Sequence, residues 1–184
     1  GQEGSDTFGK NDFDPGVVDD PTYHAARGIL VRTCADGLLA YQNEKSEMGI
    51  LLINRNGHPA KDQLWSIGGG IQRKIIGARE ALKANAKRET NLDLFDIVYL
   101  GSADMAWATR PLETDVGGDG IRDFSLMFYA VGEGDLQFRE LDNKPLIVTP
   151  EMWEQKQGKL ADLHPYVGEN LDRAIVLLID SFYK

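Results

Sequence analysis

The sequence predicts an α/β fold in which a mixed β-sheet carries helices on both faces, and three observations predict it. The stretch "MGILLINR" (48–55) is a continuous apolar run, as expected of a strand buried on both faces. Ala78, Ala81, Leu82 and Ala86 recur at helical spacing, and so do Leu171, Ala174, Ile175, Leu178, Ile179 and Phe182, so two helices each have a face to lay on a sheet. The predicted order β-β-β-α-β-β-α-α then gives a sheet between helical layers.

Taken in order, residues 1–26 are polar and rich in Gly and Asp, with "DPG" and "DDPT" turn signals, and predict an N-terminal arm with little regular structure. A single domain is expected over 27–184. "RGILVRTC" reads as a strand, "ADG" as a turn, "MGILLINR" as the second strand and "QLWSIG" as a short third one. The glycines that follow read as a turn before a helix from about Gly77 to Thr90. "FDIVYLGSADMAWA" and "DFSLMFYAV" are two longer strands, separated by "TRPLETDVGGDGIR", which is rich in turn formers and acids. "TPEMWEQKQGK" predicts a short helix with Thr149 as N-cap and Pro150 in its first turn. "GENLDRAIVLLIDSFY" closes the chain as a helix packed on the sheet.

A length of 184 residues at 42% apolar content is enough for one buried core. The single cysteine, Cys34, leaves no partner for an internal disulfide and no Cys-based zinc cluster, and it suits a reducing cytoplasm. Cys34 is expected to be a buried apolar residue. No segment has the pattern of a secretory signal, and none approaches the ~20 apolar residues of a membrane helix. The net charge of −9 argues against nucleic acid and anionic membranes as partners, since both are polyanions. Between Gly70 and Thr90, however, six basic residues (Arg73, Lys74, Arg79, Lys83, Lys87, Arg88) face two acidic ones. Such an island suits a small anionic ligand, while for Arg79, Lys83 and Lys87 a solvated helix face is the better account of the charges.

The island lies in "GGGIQRKIIGAREALKANAKRETNLDL" (68–94). A P-loop needs four residues between its glycines and then Lys, but here six residues separate Gly70 from Gly77 and Ala78 follows. A dinucleotide fingerprint would need glycine at Arg73 and a parallel βαβ unit. With both excluded, "LWSIGGG" followed by a helix ending "KRETNLDL" resembles the Nudix hydrolases, whose signature is G-x5-E-x7-R-E-U-x-E-E-x-G-U with U apolar. The resemblance spans roughly residues 27–183, with "GILLINRNGHPAKDQLW" before the glycines and "VTPEMW" late in the domain. Gly70, Glu89 and Leu92 match the box, whereas Ile76, Ala84, Asn85, Arg88 and Asn91 stand where it has Glu, Arg, Glu, Glu and Gly. The box is therefore reduced, somewhat as in the family branch that hydrolyses GDP-mannose, which keeps the glutamate corresponding to Glu89 and takes a glycine carbonyl as a metal ligand.

The resemblance implies a Nudix-like α/β/α sandwich and hydrolysis of a nucleoside diphosphate linked to another group, a nucleotide sugar being one such substrate. It implies a divalent cation, Mg²⁺ or Mn²⁺, weakly held by Glu89 and the Gly70 carbonyl and completed by the substrate. Asn85, Arg88 and Glu89 fall at i, i+3 and i+4 and converge on one helix face, which makes them the candidate catalytic group. Their charges cancel, so a dication gains little there unless a diphosphate brings its own charge. Arg88 either pairs with Glu89 and fills the metal's place or turns outward. Arg55, Arg73, Trp107, Arg110 and Asp123 are the candidate substrate contacts: Trp107 could stack on a base and Arg110 grip phosphate. Glu113, Asp115, Asp119 and Asp123 belong to the acidic loop, where "DVGGDG" fails as a calcium site because Gly117 and Leu126 fall at ligand positions. His24, His58 and His164 are isolated, and His58 is the best placed as a general base. The alternative function is a silent Nudix-fold module that binds a nucleotide-derived ligand. A homodimer is left open.

Overall fold

The computed structural model describes residues 31–43, 45–55, 60–72, 77–107, 121–138 and 145–183. The predicted arm over 1–26 and most of the acidic loop lie outside the described residues. The elements are β1 (Arg32–Gln42), β2 (Met48–Asn54), β3 (Leu64–Trp65), β4 (Ile67–Gly70), α1 (Ala78–Thr90), β5 (Asp93–Trp107), β6 (Ile121–Glu133), β7 (Pro145–Val148), α2 (Pro150–Gln155), a 3-10 turn (Gly158–Leu160) and α3 (Pro165–Phe182). They form a mixed sheet of order β3-β2-β1-β6-β5, with β4 added to β1 and β7 to β2.

β1 is the axis of the sheet. One edge runs parallel to β6, from Arg32 opposite Asp123 to Ala40 opposite Val131. The other edge is divided between two antiparallel partners, with Cys34–Gly37 on β4 and Leu39–Gln42 on β2. Two expectations are corrected here. "ADG" is not a turn but the middle of β1, and the glycine triplet is a strand, β4. The physical reason is shared: β4 and β6 flank Ala35, Asp36 and Gly37 and satisfy their backbone groups, which overrides the local turn preference of Asp-Gly. Gly37 also admits α1, since a Cβ there would stand 2.8 Å from Leu82 Cδ1.

Alternation along β1 builds two cores. Leu38 and Ala40 face Ile50, Leu52, Met127 and Tyr129 beneath Leu171, Ala174 and Leu178 of α3. Ala35 and Leu39 face Leu51, Phe128 and Ala130 beneath Ala81, Leu82 and Ala86 of α1. The molecule is thus an α/β/α sandwich, as the two helical stripes predicted. Strand β7, "PLIV", was not expected; it is four residues long and pairs with β2.

Helix ends follow local chemistry. Thr149 Oγ1 accepts from Met152 N at 3.3 Å at the start of α2, with Pro150 next to it. His164 caps α3, its Nδ1 accepting from Tyr166 N at 3.3 Å. α1 ends on Asn91 in the left-handed region (φ 62°), its N–H bonded to the Lys87 carbonyl.

Candidate functional site

The parallel register of β1 and β6 sets Arg32 beside Asp123 and Cys34 beside Ser125. Side chains two residues apart share a face, so Arg32, Cys34 and Asp36 line up along β1 next to Asp123 and Ser125. On β5, Met105 is opposite Asp123. Together with Trp65, Trp107, Arg55, the glycines of β4 and Arg88 and Glu89 of α1, they enclose a cavity of about 240 Å³.

Charge in the cavity is arranged in pairs. Arg32 holds Asp123 in a two-point bond, Nε to Oδ1 and Nη2 to Oδ2, both 2.9 Å. Arg88 Nη2 donates to Glu89 Oε1 at 2.9 Å, and the Gly68 N–H donates to Glu89 Oε2 at 3.3 Å. Asp36 is 5% exposed and accepts from Tyr166 Oη at 3.4 Å. Burial pushes its carboxyl up to about 6, outweighing the Ser125 hydrogen bond and the Arg55 and Arg32 charges that favour ionisation. Burial likewise raises Glu89 against the pull of Arg88, and lowers Arg55 against the pull of Asp36. Three guanidiniums thus face three carboxylates.

The backbone of β4 makes this proximity feasible. Gly68 has φ +153°, and a Cβ on it would lie 2.4 Å from the Ala35 carbonyl oxygen and 2.6 Å from Asp36 Cα. Only glycine fits there. Asn85, 1% exposed, donates from Nδ2 to the Gly69 carbonyl at 3.2 Å, while its Oδ1 has no partner among the described residues.

Of the residues singled out by sequence, Arg55, Gly70, Arg88, Glu89, Trp107 and Asp123 line one cavity, and Asn85 lies behind it on the Gly69 carbonyl. Arg88 pairs with Glu89 rather than turning outward. Asp123 belongs to β6 and is held by Arg32, which corrects its placement in the acidic loop. Arg73, Ile76, Arg110, Glu113, Asp115, Asp119, His24 and His58 lie outside the described residues. His164 is packed against Trp65 and Trp107, centroids 5.3 and 5.4 Å away, and caps α3. Cys34 is 2% exposed, and burial raises its thiol to about 11, far from a reactive thiolate. Sequence reasoning missed Arg32, Asp36 and Ser125. The available signal was three polar or polarisable residues at alternate positions (Arg32, Cys34, Asp36) in a segment read partly as a turn.

No family model matches the chain, and none of the curated proteins matches it. Solved structures do. The chain is similar to the NUDIX domain of Shewanella oneidensis NrtR, solved with ADP ribose, at 14% identity over 85% of this chain and 98% of that one, TM-score 0.54. It is similar to a MutT protein from Methanosarcina mazei at 15% identity over 78% and 92%, TM-score 0.56. It is also similar to the Escherichia coli dihydroneopterin triphosphate pyrophosphohydrolase at 16% identity over 83% and 99%, TM-score 0.53. Against a MutT/nudix family protein from Enterococcus faecalis it spans 49% of that chain's length, with a TM-score of 0.47. The fold is the Nudix fold.

That fold implies a divalent cation, and the donor set present does not fit one. Although Cys34, Asp36, Glu89 and Asp123 line one cavity, no three His, Cys, Asp or Glu side chains among the described residues are placed to hold one metal ion. Both oxygens of Glu89 and both of Asp123 are engaged by protein donors, and Asp36 is buried and accepts from Tyr166 Oη. A hard dication needs several oxygen ligands, and here it would also meet guanidinium charge.

Proposed function

We propose that this chain is a Nudix-fold module that binds the phosphates of a nucleotide-derived ligand without a resident metal. The observation that carries the reading is the Arg88–Glu89 pair at 2.9 Å, on two positions where the Nudix box has consecutive glutamates. Arginine is the residue suited to phosphate, since its planar fork presents donors that match phosphate oxygens. The cavity of about 240 Å³ is smaller than the ~300–1,000 Å³ usual for small-molecule sites, so it takes the phosphate-bearing part and leaves the remainder of the ligand outside. Trp107 at the wall offers a ring face for a base, and its Nε1 has no partner among the described residues. The ADP ribose seen with the NrtR domain supports a ligand of this class.

One observation favours a second reading, a hydrolase of nucleoside diphosphates linked to another group. Glu89 stands beside the Gly69 backbone, its Oε1 4.0 Å from where a Gly69 Cβ would be, so a substrate bringing its own Mg²⁺ could recruit carboxylate and carbonyl together. One experiment separates the two. ADP-ribose, GDP-mannose and a dinucleotide are titrated calorimetrically in EDTA, then incubated with Mg²⁺ and with Mn²⁺ and assayed for product. Binding in EDTA with no product is expected. Turnover that disappears in Glu89→Gln would establish the hydrolase instead.

A further inference from the structure

We infer that the guanidinium of Arg88 is a built-in substitute for a divalent cation, and that this single side chain is what keeps a latent metal centre closed. The phosphate side of this inference rests on the proposed function; the metal side rests on the donor set alone. Three features converge. Positions 85, 88 and 89 share one face of α1 at its approach to β4, the geometry in which three side chains can serve one ion. Oxygen donors are already there: Glu89 points at β4, the Gly69 carbonyl is held by Asn85 Nδ2 at 3.2 Å, and Asn85 Oδ1 is buried without a partner among the described residues. Into this set Arg88 places a positive charge 2.9 Å from the one carboxylate of the three positions.

Asn85 Nδ2 and Glu89 Oε1 lie 3.9 and 4.0 Å from where a Gly69 Cβ would be, and a buried amide oxygen left without a partner on one of these two side chains is what remains of a cation site after its charge has been supplied from within the chain. Arg88 does supply it. Its side chain is 36% exposed, so the guanidinium bonds Glu89 with one nitrogen while part of it stays open to the cavity and to anions entering it. A metal bound there would have to displace this pair and tolerate the arginine, whereas a phosphate meets a cation that is already covalently in place and needs no ion from solution.

The test titrates Mn²⁺ alone, without nucleotide, into the full chain by calorimetry. The unaltered protein is expected to bind no tighter than millimolar. R88E removes the charge and adds an oxygen ligand, and is expected to bind about tenfold tighter or better, the gain vanishing in R88E/E89Q. Micromolar binding by the unaltered protein, or a folded R88E that binds no tighter, overturns the inference. Should R88E melt out, R88Q, which removes the charge without adding another, must still bind more tightly than the unaltered protein; no gain overturns it. Inorganic pyrophosphate in EDTA supplies the second arm. R88E is expected to lose at least tenfold in affinity, and equal affinity overturns the substitute role. If the unaltered protein fails to bind pyrophosphate or any nucleotide, the proposed function falls, while the Mn²⁺ comparison still decides whether Arg88 closes a metal site.

Discussion

Asp36 sets burial against charge, and it was invisible in the sequence because "ADG" has the composition of a turn. Its environment is assembled by residues far apart: Tyr166 lies 130 positions away, and Ser125 arrives on the neighbouring strand. The consequence is a pH dependence with a definite sign. In the unfolded chain the carboxyl titrates near ~3.9, whereas burial moves it to about 6 in the fold. The folded state therefore binds the proton more tightly, and stability falls as pH rises through the interval from about 4 to about 6. At neutral pH the ionised group costs roughly 2–3 kcal/mol relative to its protonated form. Asp36→Asn cannot ionise, so its stability profile, measured by urea unfolding across pH 4–7, is expected to be flatter than that of the unaltered protein by about that amount. Parallel profiles would show that Asp36 is solvated in the fold.

At the scale of elements, the helices were legible and the centre of the sheet was not. The predicted span from Gly77 to Thr90 agrees with α1, and Thr149 caps α2 as expected, because helical periodicity and caps are written in neighbouring residues. Of β4 only Ile67 and Gly68 fell within the strand read from "QLWSIG", because its three glycines have no side-chain pattern, and what makes them a strand is pairing with residues some 33 positions earlier. Membership of the site followed the same division. Glu89, Asn85 and Arg88 could be grouped from helical spacing, but Arg32 meets Asp123 only through a parallel register across 91 residues. One position of the reduced box has a purely conformational account. Asn91, where the signature has glycine, ends α1 at φ 62°, which asparagine tolerates better than other residues with a Cβ. Its Nδ2 also reaches the Asp135 carbonyl at 3.2 Å. Asn91→Ala is expected to cost about 1–2 kcal/mol in chemical denaturation, and Asn91→Gly a good deal less. Equal losses would assign the position to the side-chain bond alone.

For the whole molecule, the sheet both separates and joins two cores, and the site sits at the end of β1, where that strand pairs with β4 on one side and β6 on the other. The sandwich was predictable because each helix has one apolar stripe and the second strand is apolar throughout, which together require two covered faces. The energetics follow from the same geometry. Leu82 of α1 and Leu171 of α3 are both fully buried, in different clusters on opposite faces. Each Leu→Ala change removes a packed side chain and leaves a cavity, at a cost of about 2–5 kcal/mol. Because the sheet lies between them and they share no neighbours in either cluster, the double variant is expected to lose the sum of the two within about 0.5 kcal/mol. Both cores are anchored on the same β1 backbone, however, so unfolding should remain one transition by fluorescence and by circular dichroism. A double variant less stable than the sum would mean that strain passes through the sheet from one helical layer to the other. A split transition would mean that the α1 layer, which carries Glu89 and Arg88, opens independently of α3, and the candidate site would then be assembled from two units of different stability.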